Sequence, residues 1–256
     1  MNNFDNGCYG ICPDCNQTRR LGVGNAMRYA HRLMSEMVAK NRLDIDLSLE
    51  DADPRLSLSN LFPGDRGHMF GVLETENQQG QTVWLKAFSS LRGGIRFVHG
   101  WVPPNLSAEN YARVVAPQEQ AIKEISAKWA NATDAVEKAS FATQRAAMSK
   151  ALWNEMKALY RFYNFQGRTA TIDDLFKGMG VPGGVGECCA PKLLCHAAQM
   201  ELRPKGLCEF YWGPHTEYDG KSAGQFYPCC EPRCRPLLGF LLCGANEECP
   251  TASFTS

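Results

Sequence analysis

GVGECCAPKLLCHAAQ, Gly184 to Gln199, sets the reading of this chain. Gly184 and Gly186 let the backbone turn sharply, and Pro191 suits the first turn of a helix, so a helix is predicted from about Ala190 to Glu201. GLCEFYWG (Gly206–Gly213) follows as a short strand of aromatics, and GQFYPCCEPRCRPLLGFLL (Gly224–Leu242) reads as a second helix after YPCCEP, through about Leu242. Thiols fall at both helix starts: Cys188 and Cys189 at one, Cys229, Cys230 and Cys234 at the other. A helix N-terminus favours thiolate, the form that binds metal. Packing the two helices side by side on the strand would bring Cys188 or Cys189 together with Cys230 and Cys234 on one tetrahedral zinc. The competing reading is burial without metal, because reduced cysteine is among the most buried residue types. Cys195, Cys208 and Cys243 lie inside apolar runs and read as core.

Upstream, the chain divides by composition into residues 1–65, 66–106, 107–168 and the Cys-rich 169–256. Met27, Ala30, Leu33, Met34 and Met37 recur at helical spacing, which predicts an amphipathic helix from about Gly24 to Lys40. The turn-like NQQGQ joins two extended runs, Met69–Glu74 and Thr82–Phe88, as a β-hairpin. GGIRFVHGWVPP is expected as a third strand, closed by Pro103 and Pro104. Pro117 opens a helix, Thr133 offers a cap for a second one running to about Phe165, and the two form a helical hairpin. The fold class is therefore α+β: a strand-rich half, a helical hairpin and a Cys-rich helix-strand-helix unit.

Twenty-seven basic and 27 acidic side chains cancel, so no global field draws nucleic acid or an anionic membrane. No run of eighteen apolar residues occurs, so no spanning helix is expected. MNNFDNGCYGICPDCNQTRR lacks the apolar stretch of a secretory signal, and the expected compartment is a reducing cytoplasm. There, twelve cysteines are read as free thiols or metal ligands before disulfides.

Cys8, Cys12 and Cys15 form a second candidate metal set, with three ligands where a structural zinc takes four. His31 is a candidate fourth ligand, or a surface residue of its helix. A catalytic reading also exists. Zinc deaminases place a ligand and a glutamate at one helix start and a Pro-Cys-x-x-Cys pair at the next, and Glu187 would then shuttle protons. Here the glutamate precedes Cys188, and three residues rather than two separate Cys230 from Cys234. Phe210, Tyr211, Trp212, Phe226 and Tyr227 are candidates for base stacking, against the alternative of core packing.

GHMFGVLETENQQGQTVWLKAFSS, GWVPP, LYRFYNFQG, GVGECCAPKLL, CEFYWG and GQFYPCCEPRCRPLLGFLL together resemble the N-terminal region of bacterial RluA-like RNA pseudouridine synthases. The resemblance runs in order from about Arg66 to Leu242, with a shorter helical hairpin than the family's. In those synthases the chemistry belongs to a following domain with its aspartate in a His-Arg-Leu-Asp motif. Here HRLM carries Met34 at that place, and the catalytic domain is expected to be missing. The resemblance implies an accessory module associated with RNA modification, with RNA or an RNA-modifying enzyme as partner and neither membrane nor DNA. The alternatives are a zinc-dependent deaminase-like hydrolase and a metal-free cysteine-rich interaction domain.

Overall fold

The computed structural model describes residues 7–62, 67–91, 94–216 and 220–245. A hairpin of β1 (Cys8–Ile11) and β2 (Thr18–Leu21) leads into α1 (Ala26–Lys40). A 3-10 turn (Pro54–Leu56) and the short α2 (Leu58–Leu61) precede β3 (His68–Glu76) and β4 (Thr82–Phe88). Next come α3 (Ala108–Asn110), a π-helical turn (Tyr111–Val115), α4 (Ala116–Asn131) and α5 (Ala135–Leu159). The remainder is β5 (Phe162–Tyr163), β6 (Thr169–Ala170), α6 (Ile172–Phe176), α7 (Cys189–Gln199), β7 (Arg203–Trp212), β8 (Phe226–Tyr227) and α8 (Glu231–Leu241). The class is α+β, with every strand pair among the described residues antiparallel. None of the described helices is long and apolar enough to cross a membrane.

The central sheet has the order β4-β3-β7-β8. Strand alternation sends Phe70, Val72, Cys208 and Phe210 to one face, where they join Ala30, Leu33 and Met37 of α1. Leu73, Ala87 and Leu207 face the other way, onto Leu193 and Leu194 of α7 and Leu237 and Leu241 of α8. The sheet is thus the middle layer between α1 and the α7–α8 pair. Phe70 and Phe210 stack across β3 and β7 with centroids 5.5 Å apart. Each such fully buried ring contributes about 1.5–3 kcal/mol relative to exposure. Helix α1 stops at Asn41, whose left-handed φ of 50° lets its amide reach the carbonyls of Met37 and Val38.

Gly94–Pro104 is not the expected third strand: it runs as irregular chain across the sheet edge, and β7 holds the place beside β3. Gly94 and Gly100 adopt φ of 75° and 76°, which break an extended path. The segment's apolar residues serve as a plug instead. Val98, Trp101 and Val102 are buried, and the Trp101 indole donates to the Leu43 carbonyl at 2.8 Å.

The β1–β2 hairpin lies along α8. Gly10 and Gly239 make this contact backbone to backbone: a Cβ on Gly239 would fall inside the carbonyl group of Ile11, and one on Gly10 would meet the Gly239 amide. Helices α4 and α5 form an antiparallel arm. Asp134 caps α5 by accepting from the Glu137 amide, where Thr133 was expected. From Ser126 to Ala151 no side chain of the arm is buried. Only its base is tied down, through Tyr111–Glu119 at 2.9 Å and Arg96–Glu119 at 2.8 Å.

A candidate metal centre at two helix starts

Cys188 is the N-cap residue of α7 and Cys230 that of α8; neither helix is capped by a side-chain hydrogen bond. Cys234 follows Cys230 by four residues and so lies on the same face of α8, one turn on. The three sulfurs lie within 4.8 Å of one another. A tetrahedral metal with bonds of about 2.3 Å needs sulfurs roughly 3.8 Å apart, so small rotamer adjustments would close the site on one. Cys234 is fully buried, whereas Cys188 and Cys230 are half-buried at the rim.

The electrostatics mark Cys230 as the first thiol to ionise. Hydrogen bonds from the Cys188 and Cys234 thiols, then the Arg233 amide and charge, hold it far below an ordinary thiol despite partial burial. The hydrogen bond with Cys230 pushes Cys188 up, those with Cys188 and then Cys230 push Cys234 up, and burial adds to both rises. A dication held by Cys188, Cys230 and Cys234 would displace the remaining protons, and the two helix N-termini would offset the extra negative charge of three thiolates.

Cys189 is outside this group. One residue further along α7, its side chain is rotated about 100° around the axis. It points into the sheet, where its thiol donates to the Met69 carbonyl at 3.3 Å beside Gly71. Cys229 faces Cys8 and Glu209 rather than the centre. Cys195 and Cys208 are buried core thiols, in line with their apolar surroundings.

The N-terminal set of Cys8, Cys12 and Cys15 does not assemble. Four residues of extended strand separate Cys8 from Cys12 by about 13 Å, and Cys8 packs against Cys229 instead. Cys12 and Cys15 meet Cys243, again with sulfurs within 4.8 Å. Cys243 is buried as an apolar-run cysteine should be, but among thiols. His31 lies elsewhere, its ring edge-on to Phe226 at 5.1 Å.

Glu187 is 7% exposed and fully engaged. Its carboxylate pairs with Arg96 at 3.1 Å and accepts a short hydrogen bond from the Tyr160 hydroxyl. Burial, and next the Glu187 charge, push the Tyr160 phenol well above its usual range, so it remains a donor. A carboxylate held this way anchors the start of α7 to Arg96 and Tyr160.

Sequence reasoning missed Arg96, Tyr160, Lys192 and Glu209. Arg96 and Tyr160 reach Glu187 from 91 and 27 residues away, and nothing local announces them. Lys192 did leave a signal, a lone charge inside APKLL. Its ammonium is buried, donates to the Phe88 carbonyl at 2.7 Å, and lies 5.1 Å from the Phe88 ring centre. Of the aromatics considered for base stacking, Phe210 and Tyr211 are core.

Glu209 lies beneath the centre, accepting from the Ala190 amide at 2.8 Å. Burial raises its carboxyl from 4.5 to about 7. The folded chain therefore keeps this proton where the unfolded chain releases it, and the contribution to stability falls as pH rises from about 4.5 to about 7. Glu209→Gln, which stays neutral and can still accept from Ala190, is expected to match the parent near pH 4. At pH 7.5 it should be more stable by about 3 kcal/mol. Urea titrations of both proteins across that range check it; parallel curves would count against a buried, protonated Glu209.

No family model, curated protein or solved structure matches this chain.

Proposed function

We propose that the chain is a non-catalytic accessory module, stabilised by zinc at Cys188, Cys230 and Cys234, that works beside an RNA-modifying enzyme in a reducing cytoplasm. The observation that carries the structural part is the pairing of three converged thiols with a Glu187 committed to Arg96 and Tyr160. Thiolates at two helix starts suit zinc, which imposes no geometry of its own and accepts sulfur readily. A deaminase-like hydrolase would need Glu187 aimed at an open position beside the metal, and here it is buried in an ion pair. None of the described cysteines forms a disulfide, which fits reducing surroundings.

The link to RNA modification comes from the ordered sequence blocks that resemble the region preceding the catalytic domain of RluA-like synthases. At HRLM, Met34 is a core residue of α1, with no acid in place of the synthase aspartate. Protein purified without added metal is expected to carry zinc, to retain bulk tRNA or rRNA at low salt, and to release it as salt rises. It should form no pseudouridine and deaminate no base in that RNA. Either product, with contaminating enzyme controlled, would overturn the non-catalytic reading; failure to retain RNA at low salt would overturn the RNA association.

A further inference from the structure

Cys12, Cys15 and Cys243 come together at the far end of α8, in a setting unlike the helix starts. Cys12 and Cys15 belong to a tight turn, CPDCNQ, between β1 and β2. Cys12 donates its amide to the Gln17 carbonyl at 2.9 Å, and Asn16 returns its own to Cys12 at 2.9 Å, with a left-handed φ of 54°. Burial holds the Cys12 thiol above its ordinary range, while the amides of Cys15 and Asp14 point at its sulfur and favour the thiolate. Such a turn wraps two backbone donors around one sulfur, which is useful to a thiolate and of little value to a neutral thiol.

The surroundings repeat that preference. Arg19 is nearly buried and directs a guanidinium nitrogen at the Cys15 sulfur from 3.6 Å. Arg168 holds Asp14 at 3.1 Å, and Lys177 donates to the Pro13 carbonyl at 3.1 Å, so the turn is pinned from outside. Cys243 is fixed by its amide to Phe240 and by its carbonyl accepting from Phe165. Its thiol donates to the Gln166 side-chain oxygen at 3.6 Å. On ionisation that amide can present its NH2 instead.

We propose that Cys12, Cys15 and Cys243 bind a second thiophilic divalent cation of the zinc class, independently of the centre at Cys188, Cys230 and Cys234. Binding releases the three thiol protons to solvent, and each sulfur donates an electron pair to the ion. About 13 Å of helix separates Cys234 from Cys243, so no ion is shared between the two sites. The second ion clips the β1–β2 hairpin to the end of α8 and closes almost the whole chain into one loop, which restricts the unfolded state most. The division of labour differs between the sites: the first joins two helix starts, the second joins the two ends of the described chain.

The test is cobalt(II) titration of the chelator-treated full chain, followed by thiolate-to-cobalt absorption, with zinc content as a second readout. The parent chain is expected to take two equivalents, Cys243→Ser one and Cys230→Ser one. Cys15→His keeps a zinc ligand and should restore two, with its absorption shifted towards a mixed sulfur–nitrogen site. A parent chain that binds a single equivalent, lost on Cys230→Ser, would overturn the second site while leaving the first intact. Two equivalents retained in Cys243→Ser would overturn it as well. Loss of the equivalent only in Cys230→Ser, with Cys15→His indistinguishable from the parent, counts the same way.

Discussion

Cys234→Ser is expected to lose the metal of the first centre and to melt about 10 °C below the parent chain. Cys234 is the one fully buried member of its triad, and its sulfur bridges the start of α8 to Cys188 at the start of α7. A serine oxygen is shorter, remains protonated at neutral pH and is a poor ligand for zinc. The two helix starts would then lose the proposed common ion, and a hydroxyl would be left among sulfurs. Structural zinc contributes on the order of 10 kcal/mol of apparent binding energy, of which folding retains only a part. A loss of about 3–4 kcal/mol corresponds to roughly 10 °C for a chain of this size. Cys208→Ser serves as control, since Cys208 is equally buried but lies on the α1 face of the sheet. It should be destabilised by about 1–2 kcal/mol through burial of a polar group, with metal content unchanged. Equal metal content in the two variants would sink the assignment of the centre.

The second large effect is expected of a single methyl group. Gly239→Ala places a Cβ against the carbonyl carbon and oxygen of Ile11 and beside the Cys12 amide. These are backbone atoms, so no rotamer change relieves the clash, and β1 must leave α8. Alanine within a helix gains about 1 kcal/mol in propensity, but overpacking of this kind costs about 3 kcal/mol or more. The net expectation is a loss of about 2–3 kcal/mol and faster amide exchange through residues 8–21, with α7 and the central sheet still protected. Gly183→Ala is the matched control: nothing lies within 4 Å of its added Cβ, and it should be neutral within about 0.5 kcal/mol. Protection of β1 and β2 unchanged in Gly239→Ala would contradict the backbone docking.

What the sequence revealed follows how local each feature is. The β3–β4 hairpin was legible because its alternation and its turn lie within twenty residues, and α1 because five apolar residues mark one stripe. The helix starts at α7 and α8 were legible from glycine and proline beside the thiols. The centre of the sheet was not. β7 was expected as a short aromatic strand, yet it is ten residues long and pairs with β3 over a separation of about 140 residues, which no window of sequence can register. Gly94–Pro104 misled for the opposite reason: Ile95, Phe97, Val98, Trp101 and Val102 have strand-like side chains on a backbone that two left-handed glycines bend. Cys243 was hidden because a thiol within LLC looks the same whether it meets leucines or other thiols. Glu187 was legible as a residue beside the helix start, but its partners Arg96 and Tyr160 lie far away in the chain.

The arm of α4 and α5 is anchored at its base and buries no side chain between Ser126 and Ala151. Its length is therefore uncoupled from everything that holds the body together. Seven residues added to each helix would extend it by about 10 Å without moving one candidate ligand or one strand. In engineering terms it is an adjustable boom on a fixed chassis: reach can change by whole turns while the thiol sites, the sheet and the glycine contact stay as they are.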